Sequence, residues 1–313
     1  PNGKSEKTTY DEQGNIISTV NEKGLKNEKT YDEFHRVITE TNERGIQITY
    51  TYDTDDHVIK KTENDNITAY TYDVYGNLIS ETDPLGNTTK KAYDLLGRLV
   101  SETDAMGNQT KHVYDANDNE IETIDANGNS TKTIYDVNGY KIADVDALGY
   151  KTTYAYNEKG LLEASTNANS VTTTYKYDAY GNELEAIINK VIVSQKEYDA
   201  YGRVIKETTP NTGVAYTYDN YGRVIKETNL ITTLAIEKQY DRFNRLIKEI
   251  DNNDRTTTYT YDDYGQLLET KDAYGRKETN TYDVFGQVTK NINYENETTT
   301  STYDIYGNVI KST

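Results

Sequence analysis

The side chains able to do chemistry in this 313-residue sequence are mostly carboxylates: 52 Asp and Glu stand against 34 Lys and Arg, with 3 His and no Cys. Without Cys there is no disulfide, no thiolate nucleophile and no Cys-ligated metal, and the redox compartment stays open. Asp115, Asn117 and Asn119 have the opening spacing of a calcium loop. Such a loop needs Gly at its sixth position and a bidentate Glu at its twelfth; those places hold Glu120 and Ala126. His35, His57 and His112 fall in different columns of the pattern below and mark no common site. There is no Gly-x-Ser-x-Gly elbow and no phosphate loop. The sequence is read as non-enzymatic, needing neither metal nor cofactor.

The acids have a simpler use. Tyr-Asp pairs begin at residues 10, 31, 52, 72, 93, 114, 135, 177, 198, 218, 240, 261, 282 and 303, and Tyr156-Asn157 fills the missing place. Eleven of the fourteen intervals are 21 residues and the rest are 20 or 22, so the chain is a tandem array of about 15 repeats. Counting from each anchor Tyr, slot one is Asp, which can accept a hydrogen bond from backbone two residues on and close a turn. Slot four is Gly in eleven repeats and His35, Asp56, Asp118 or Asn244 in the others. Those are the residue types that best tolerate positive φ, as the bulged position of a hairpin loop requires. A second, looser turn follows half a repeat later, as in Asp83-Pro84-Leu85-Gly86 and Asp104-Ala105-Met106-Gly107. All 20 Gly and all three Pro are assigned to these two turn columns. Fourteen acids are slot-one Asp and six more open second turns; without these 20, 32 acids face 34 bases. The net charge of −18 is thus mostly a by-product of turn formation. It still argues against nucleic acid, which needs a clustered basic patch.

Between the turns lie two strand-like runs per repeat. One is aliphatic, as in Val37-Ile38 and Val204-Ile205; the other is rich in Thr and Tyr, as in Tyr50-Thr51-Tyr52. Each repeat is therefore a β-hairpin, and the fold class is all-β: tandem hairpins in an extended, spiralling antiparallel sheet. The turn and ladder residues that typify it are Tyr72, Asp73 and Gly76; Tyr93, Asp94 and Gly97; Tyr198, Asp199 and Gly202; Tyr218, Asp219 and Gly222. Anchor Tyr is expected to stack on anchor Tyr. Residues 201–208 and 221–228 are identical, a sign of recent duplication. Hydrophobic residues amount to only 34% even with 31 Tyr, too few for one thick core, so stability should be a sum of nearest-neighbour terms. No apolar run approaches a membrane span and none resembles a signal peptide; membrane insertion is not expected.

These columns resemble the YD-repeat (Rhs-repeat) family. The motif Tyr-Asp-x-x-Gly-Arg-Leu followed by Thr-Asp-x-x-Gly-Asn stands here at residues 93–99 and 103–108, and the resemblance covers the whole chain. Members include bacterial Rhs and wall-associated polymorphic toxins, Tc toxin shell subunits and teneurins. The resemblance implies a secreted or cell-surface structural scaffold: a shell wall, often around a cargo, or an extended fibre. Toxin-type members carry an Asp-Pro-x-Gly motif with autoproteolysis, but Asp83-Pro84-Leu85-Gly86 sits in the ordinary second-turn column and is read as a turn. Neither a cargo domain nor a plug is present.

Slot three is aromatic in nine repeats: Phe34, Tyr75, Tyr180, Tyr201, Tyr221, Phe243, Tyr264, Phe285 and Tyr306. Such a row either packs on neighbouring turns or, if exposed, stacks on a surface glycan or receptor; Tyr75, Tyr180, Tyr201, Tyr221, Tyr264 and Tyr306 are its candidate contacts. Asn-x-Thr sequons occur at Asn66, Asn87, Asn108, Asn129 and Asn296. Pro1-Asn2-Gly3 and the stop at Thr313 fit a second turn cut at both sides. Residues 1–313 are therefore read as one continuous array, an excerpt of a longer protein whose ends associate with neighbouring repeats of the same or another chain.

Overall fold

The structure is a computed structural model that describes residues 6–313, so the turn assigned to Pro1-Asn2-Gly3 lies outside the described residues. Among those residues there are thirty strands and no helix. The chain divides into two compact units, Pro1–Lys151 and Thr152–Thr313. Within each unit, strands pair antiparallel with their chain neighbours and, among the described residues, make no other element contacts.

Every repeat folds alike because its first turn dictates the same bend. In the hairpin of Gln47–Tyr52 and Val58–Glu63, Tyr52 faces Val58 but Thr51 faces Lys60, so the register shifts by one residue beside the anchor. The same shift stands beside the other anchors, from Tyr10 to Tyr303. This is a hairpin whose left-handed fourth residue makes a bulge. The four non-Gly residues of that slot are indeed left-handed: His35 at φ 65°, Asp56 at 68°, Asp118 at 66° and Asn244 at 68°.

The unequal intervals come from the second turn alone. An ordinary one places five residues between paired strand ends, as between Thr41 and Gln47. Four lie between the equivalent paired residues Thr62 and Ile67, where the ladder runs one pair further to Glu63 and Asn66, and between Thr208 and Gly213, which gives the two 20-residue intervals. Six lie between Thr228 and Ala235, which gives the 22. Here one expectation is corrected. Gly213 is not a turn glycine; it opens the strand Gly213–Tyr218 and is buried. A Cβ there would meet Thr208 Cγ2 at 3.1 Å and Leu230 Cβ at 3.2 Å, so close packing, not backbone freedom, accounts for glycine.

Within each unit, among the described residues, no second layer of secondary structure covers either face. Among the described residues only Ile46, Ala143 and Ala186 are buried apolar side chains, and no polar one is buried. The two faces still differ. In Gln47–Tyr52 the rings of Tyr50 and Tyr52 are half-buried, whereas Thr51 between them is exposed. On the half-buried face Tyr50 donates to Glu40 Oε1 (2.6 Å) and Tyr259 to Glu249 Oε2 (2.6 Å). Burial first, and then the carboxylate, push both phenols above their ordinary range.

Candidate functional site

The repeating site is the first turn, and slot one makes it. Asp73 Oδ1 accepts from the backbone N–H of Tyr75 (2.9 Å) and of Asn77 (2.9 Å), and its Oδ2 accepts from the Asn77 amide (2.9 Å). Asp94, Asp199 and Asp219 repeat this with an arginine in slot five: Arg98, Arg203 and Arg223 donate Nε at 2.7, 2.7 and 2.6 Å. The Asn77 amide and the turn N–H groups hold the Asp73 carboxyl below the ordinary 3.8. At Asp199 burial opposes ionisation, and the bonds from Arg203 outweigh it. Gly76, Gly97, Gly202 and Gly222, at φ 85°, 79°, 77° and 82°, each return an N–H to the carbonyl of their Asp at 3.0–3.1 Å. Asp115 is held in the same way by Asn117 and Asn119, so its carboxylate is consumed by the turn. Among the described residues no group of three or more His, Asp or Glu is arranged to hold a metal.

Anchors are joined differently from the expected ring-on-ring ladder. Successive anchors lie two strands apart, about 9.6 Å at the usual strand spacing, beyond the 4.5–7 Å of an aromatic pair. The slot-five side chain fills that gap. Arg36, Arg98, Arg203, Arg223 and Arg245 place the guanidinium over the anchor ring of the next repeat, 4.5–4.9 Å from its centroid. His57 does this with its imidazole, stacked on Tyr72 at 4.6 Å and 20°. Several arginines also reach the next turn: Arg98 Nη1 donates to Asp115 O (3.1 Å) and Arg245 Nη1 to Asp262 O (3.0 Å). The anchor hydroxyl ties back the other way. Tyr72, Tyr93, Tyr198 and Tyr218 donate to the carbonyls of Val58, Leu78, Glu183 and Val204 at 3.0, 3.1, 2.8 and 2.6 Å. Slot five was the column sequence reasoning passed over. Its signal was there, since Arg, Asn, Gln and His dominate it.

The three histidines are placed separately. His35 Nδ1 lies 2.9 Å from Asn15 Nδ2, and His57 Nδ1 3.1 Å from Asp53 Oδ2. His112 Nδ1 lies 2.9 Å from Glu120 Oε1, while its Nε2 is buried without a partner. The aromatic row is uneven. Tyr75, Tyr180, Tyr201 and Tyr221 are 76–92% exposed, whereas Tyr264 and Tyr306 are nearer half covered, at 43% and 49%.

The sequence profile of the RHS Repeat family matches residues 31–66, 53–88, 93–130, 156–188, 198–229 and 240–277. Among solved structures, a crystal structure of TcdB2-TccC3-Cdc42 is similar over 99% of this chain and 22% of its own, at a TM-score of 0.62 and 16% identity. One of TcdB2-TccC3-TEV is similar over 98% and 23%, at 0.59 and 17%. At such identity the likeness is one of fold. The chain spans about a fifth of the length of those solved chains, at 22% and 23%. Among curated proteins none matches.

Proposed function

Since the chain belongs to the RHS repeat family, we propose that it is a non-enzymatic structural scaffold, a wall or fibre segment of a secreted or cell-surface repeat protein. The observation that carries this reading is where the polar chemistry is spent. Slot-one carboxylates are consumed closing their own turns, and the five slot-five arginines each clamp their repeat to the next. A carboxylate serving as general acid or base needs reach to a substrate, and these face their own backbone. Its partners are neighbouring repeats of the same or another chain, and an enclosed cargo if the parent forms a shell.

Scattering and electron microscopy of the purified chain test the proposal. An elongated particle is expected, without hydrolytic activity toward generic ester, peptide or glycoside substrates. A compact globule, or turnover lost on changing one carboxylate, would overturn it. The second reading, an adhesive array, has one observation in its favour: the exposed slot-three rings.

A further inference from the structure

We propose that Tyr50 and Tyr259 are redox-active residues that yield to one-electron oxidants, the phenol's electron leaving for the oxidant and its proton passing to the carboxylate already bonded to the hydroxyl. Composition directs such oxidation to tyrosine. The chain has 31 Tyr, no Trp, no Cys and one Met, so indole and thiol, the side chains that compete with a phenol for an electron hole, are missing. The single Met is oxidised by gaining oxygen to give the sulfoxide, which is a two-electron change.

Among the phenols, the partner of the hydroxyl decides. A phenol that has lost an electron is a strong acid, so the electron leaves readily only where a base stands on the O–H. Tyr72, Tyr93, Tyr198 and Tyr218 donate to backbone carbonyls, which do not hold a proton near neutrality. Tyr50 donates instead to Glu40 Oε1 and Tyr259 to Glu249 Oε2, both at 2.6 Å, inside the roughly 2.5–2.7 Å of an O–H bonded to a carboxylate. The two sites lie in different units but are built alike. Glu40 faces Ile48 and Glu249 faces Thr257 on the adjoining strand, so each carboxylate reaches diagonally to the ring two residues further on. Both rings are half-buried. Burial first, and then the carboxylate, keep the phenol proton in place at rest. Lys29, 3.8 Å from Glu40, is a cation beside the first site.

On oxidation the phenol O–H bond breaks, a carboxylic O–H forms on the glutamate, and the oxidant is reduced by one electron. A neutral phenoxyl radical stays on the ring. Other rings can deliver the hole. Tyr52 stands two residues from Tyr50, and Tyr261 two from Tyr259, about 6.8 Å along a strand, so a hole formed on either anchor has a short step to the ring that holds a base.

The test oxidises the purified chain with flash-generated tris(bipyridine)ruthenium(III) beside a nitroso spin trap, and maps the ring adducts by peptide mass spectrometry. Tyr50 and Tyr259 should carry several-fold more adduct than the half-buried rings of Tyr72, Tyr93, Tyr198 and Tyr218. Tyr175 is a further control, because it stands two residues before its anchor as they do but lies 3.5 Å from the hydroxyl of Ser165, which is no base. Glu40→Gln keeps a hydrogen-bond acceptor yet cannot hold the proton; it should erase the excess at Tyr50 and leave that at Tyr259. Glu249→Gln should do the converse, so each site reports on folding for the other. Even labelling across these half-buried rings, or an excess that survives loss of its own glutamate, would overturn the proposal.

Discussion

Arg36 and Asp56 lie 20 residues apart in sequence and 2.7 Å apart in space, Nη1 to Oδ1, across the boundary between two repeats. Asp56 is one of the four residues that replace glycine in the left-handed slot. Arg98 and Asp118 repeat the pair at 2.8 Å, and Asn15 with His35 forms an amide–imidazole version at 2.9 Å. Three of the four departures from glycine are thus matched to a hydrogen-bonding side chain in slot five of the preceding repeat. The pairing partly offsets a conformation that side chains resist.

Because Arg36 also closes its own turn and lies over Tyr52, the two partners should not be equivalent. Asp56→Gly removes an exposed ion pair, worth little, and relieves the left-handed backbone; its melting temperature should stay within a degree or two of the parent's, on the order expected for a surface change. Arg36→Ala should lower it several-fold more. Equal shifts from the two variants would show the guanidinium acting only as Asp56's counter-ion.

The hydroxyl ladder makes a contrast between two anchors. Tyr218 donates to Val204 O at 2.6 Å, so Tyr218→Phe should cost about 1 kcal/mol, as for a half-buried neutral hydrogen bond. The hydrogen bonds of the described residues include none from the Tyr135 hydroxyl, so Tyr135→Phe should be nearly neutral. Denaturant melts of the two variants check this. A comparable loss at both positions would remove the hydroxyl from the account of stability.

Left-handed glycines should respond to substitution in two grades. At Gly202 (φ 77°) a Cβ meets only Asn182 Oδ1 at 3.9 Å, so Asn should be tolerated and Val should cost about 1–3 kcal/mol. At Gly76 (φ 85°) a Cβ would come within 2.9 Å of His57 Nε2. Gly76→Asn should therefore be worse than Gly202→Asn, and His57→Ala in the same chain should restore most of the difference. Thermal melts of the three variants and the double variant decide it.

Acid should unfold the array. Eleven slot-one and five second-turn aspartates among the described residues are held below the ordinary 3.8, Asp73, Asp83, Asp104 and Asp304 first of all by the amide of the Asn four residues on. A carboxyl whose folded value lies below its unfolded one contributes stability that is fully present above the unfolded value. That contribution is lost as pH falls through the folded value. The melting temperature should be flat near neutrality and drop as pH falls below about 4. Asp73→Asn should soften the drop while keeping its turn, since Asn157 already makes the same two backbone bonds at 2.9 and 3.0 Å. A melting temperature unchanged down to pH near 2 would contradict this use of the acids.

What the sequence determined by itself is everything settled within one turn: the period, the two turn columns, the left-handed slot and the strands between. Those follow from Asp, Gly and β-branched residues whose backbone needs are met by atoms no more than five residues away, so type and spacing suffice to read them. Tertiary structure decided whatever depends on a side chain some twenty residues off. It set an arginine or His57 between anchor rings where rings alone were expected, packed Gly213 against Leu230 instead of turning the chain there, and left Tyr180, Tyr201 and Tyr221 in solvent while covering half of Tyr264. The physical reason is distance. Two strand spacings separate equivalent residues, too far for like to touch like, so the contacts between repeats belong to whichever long side chain can bridge the gap.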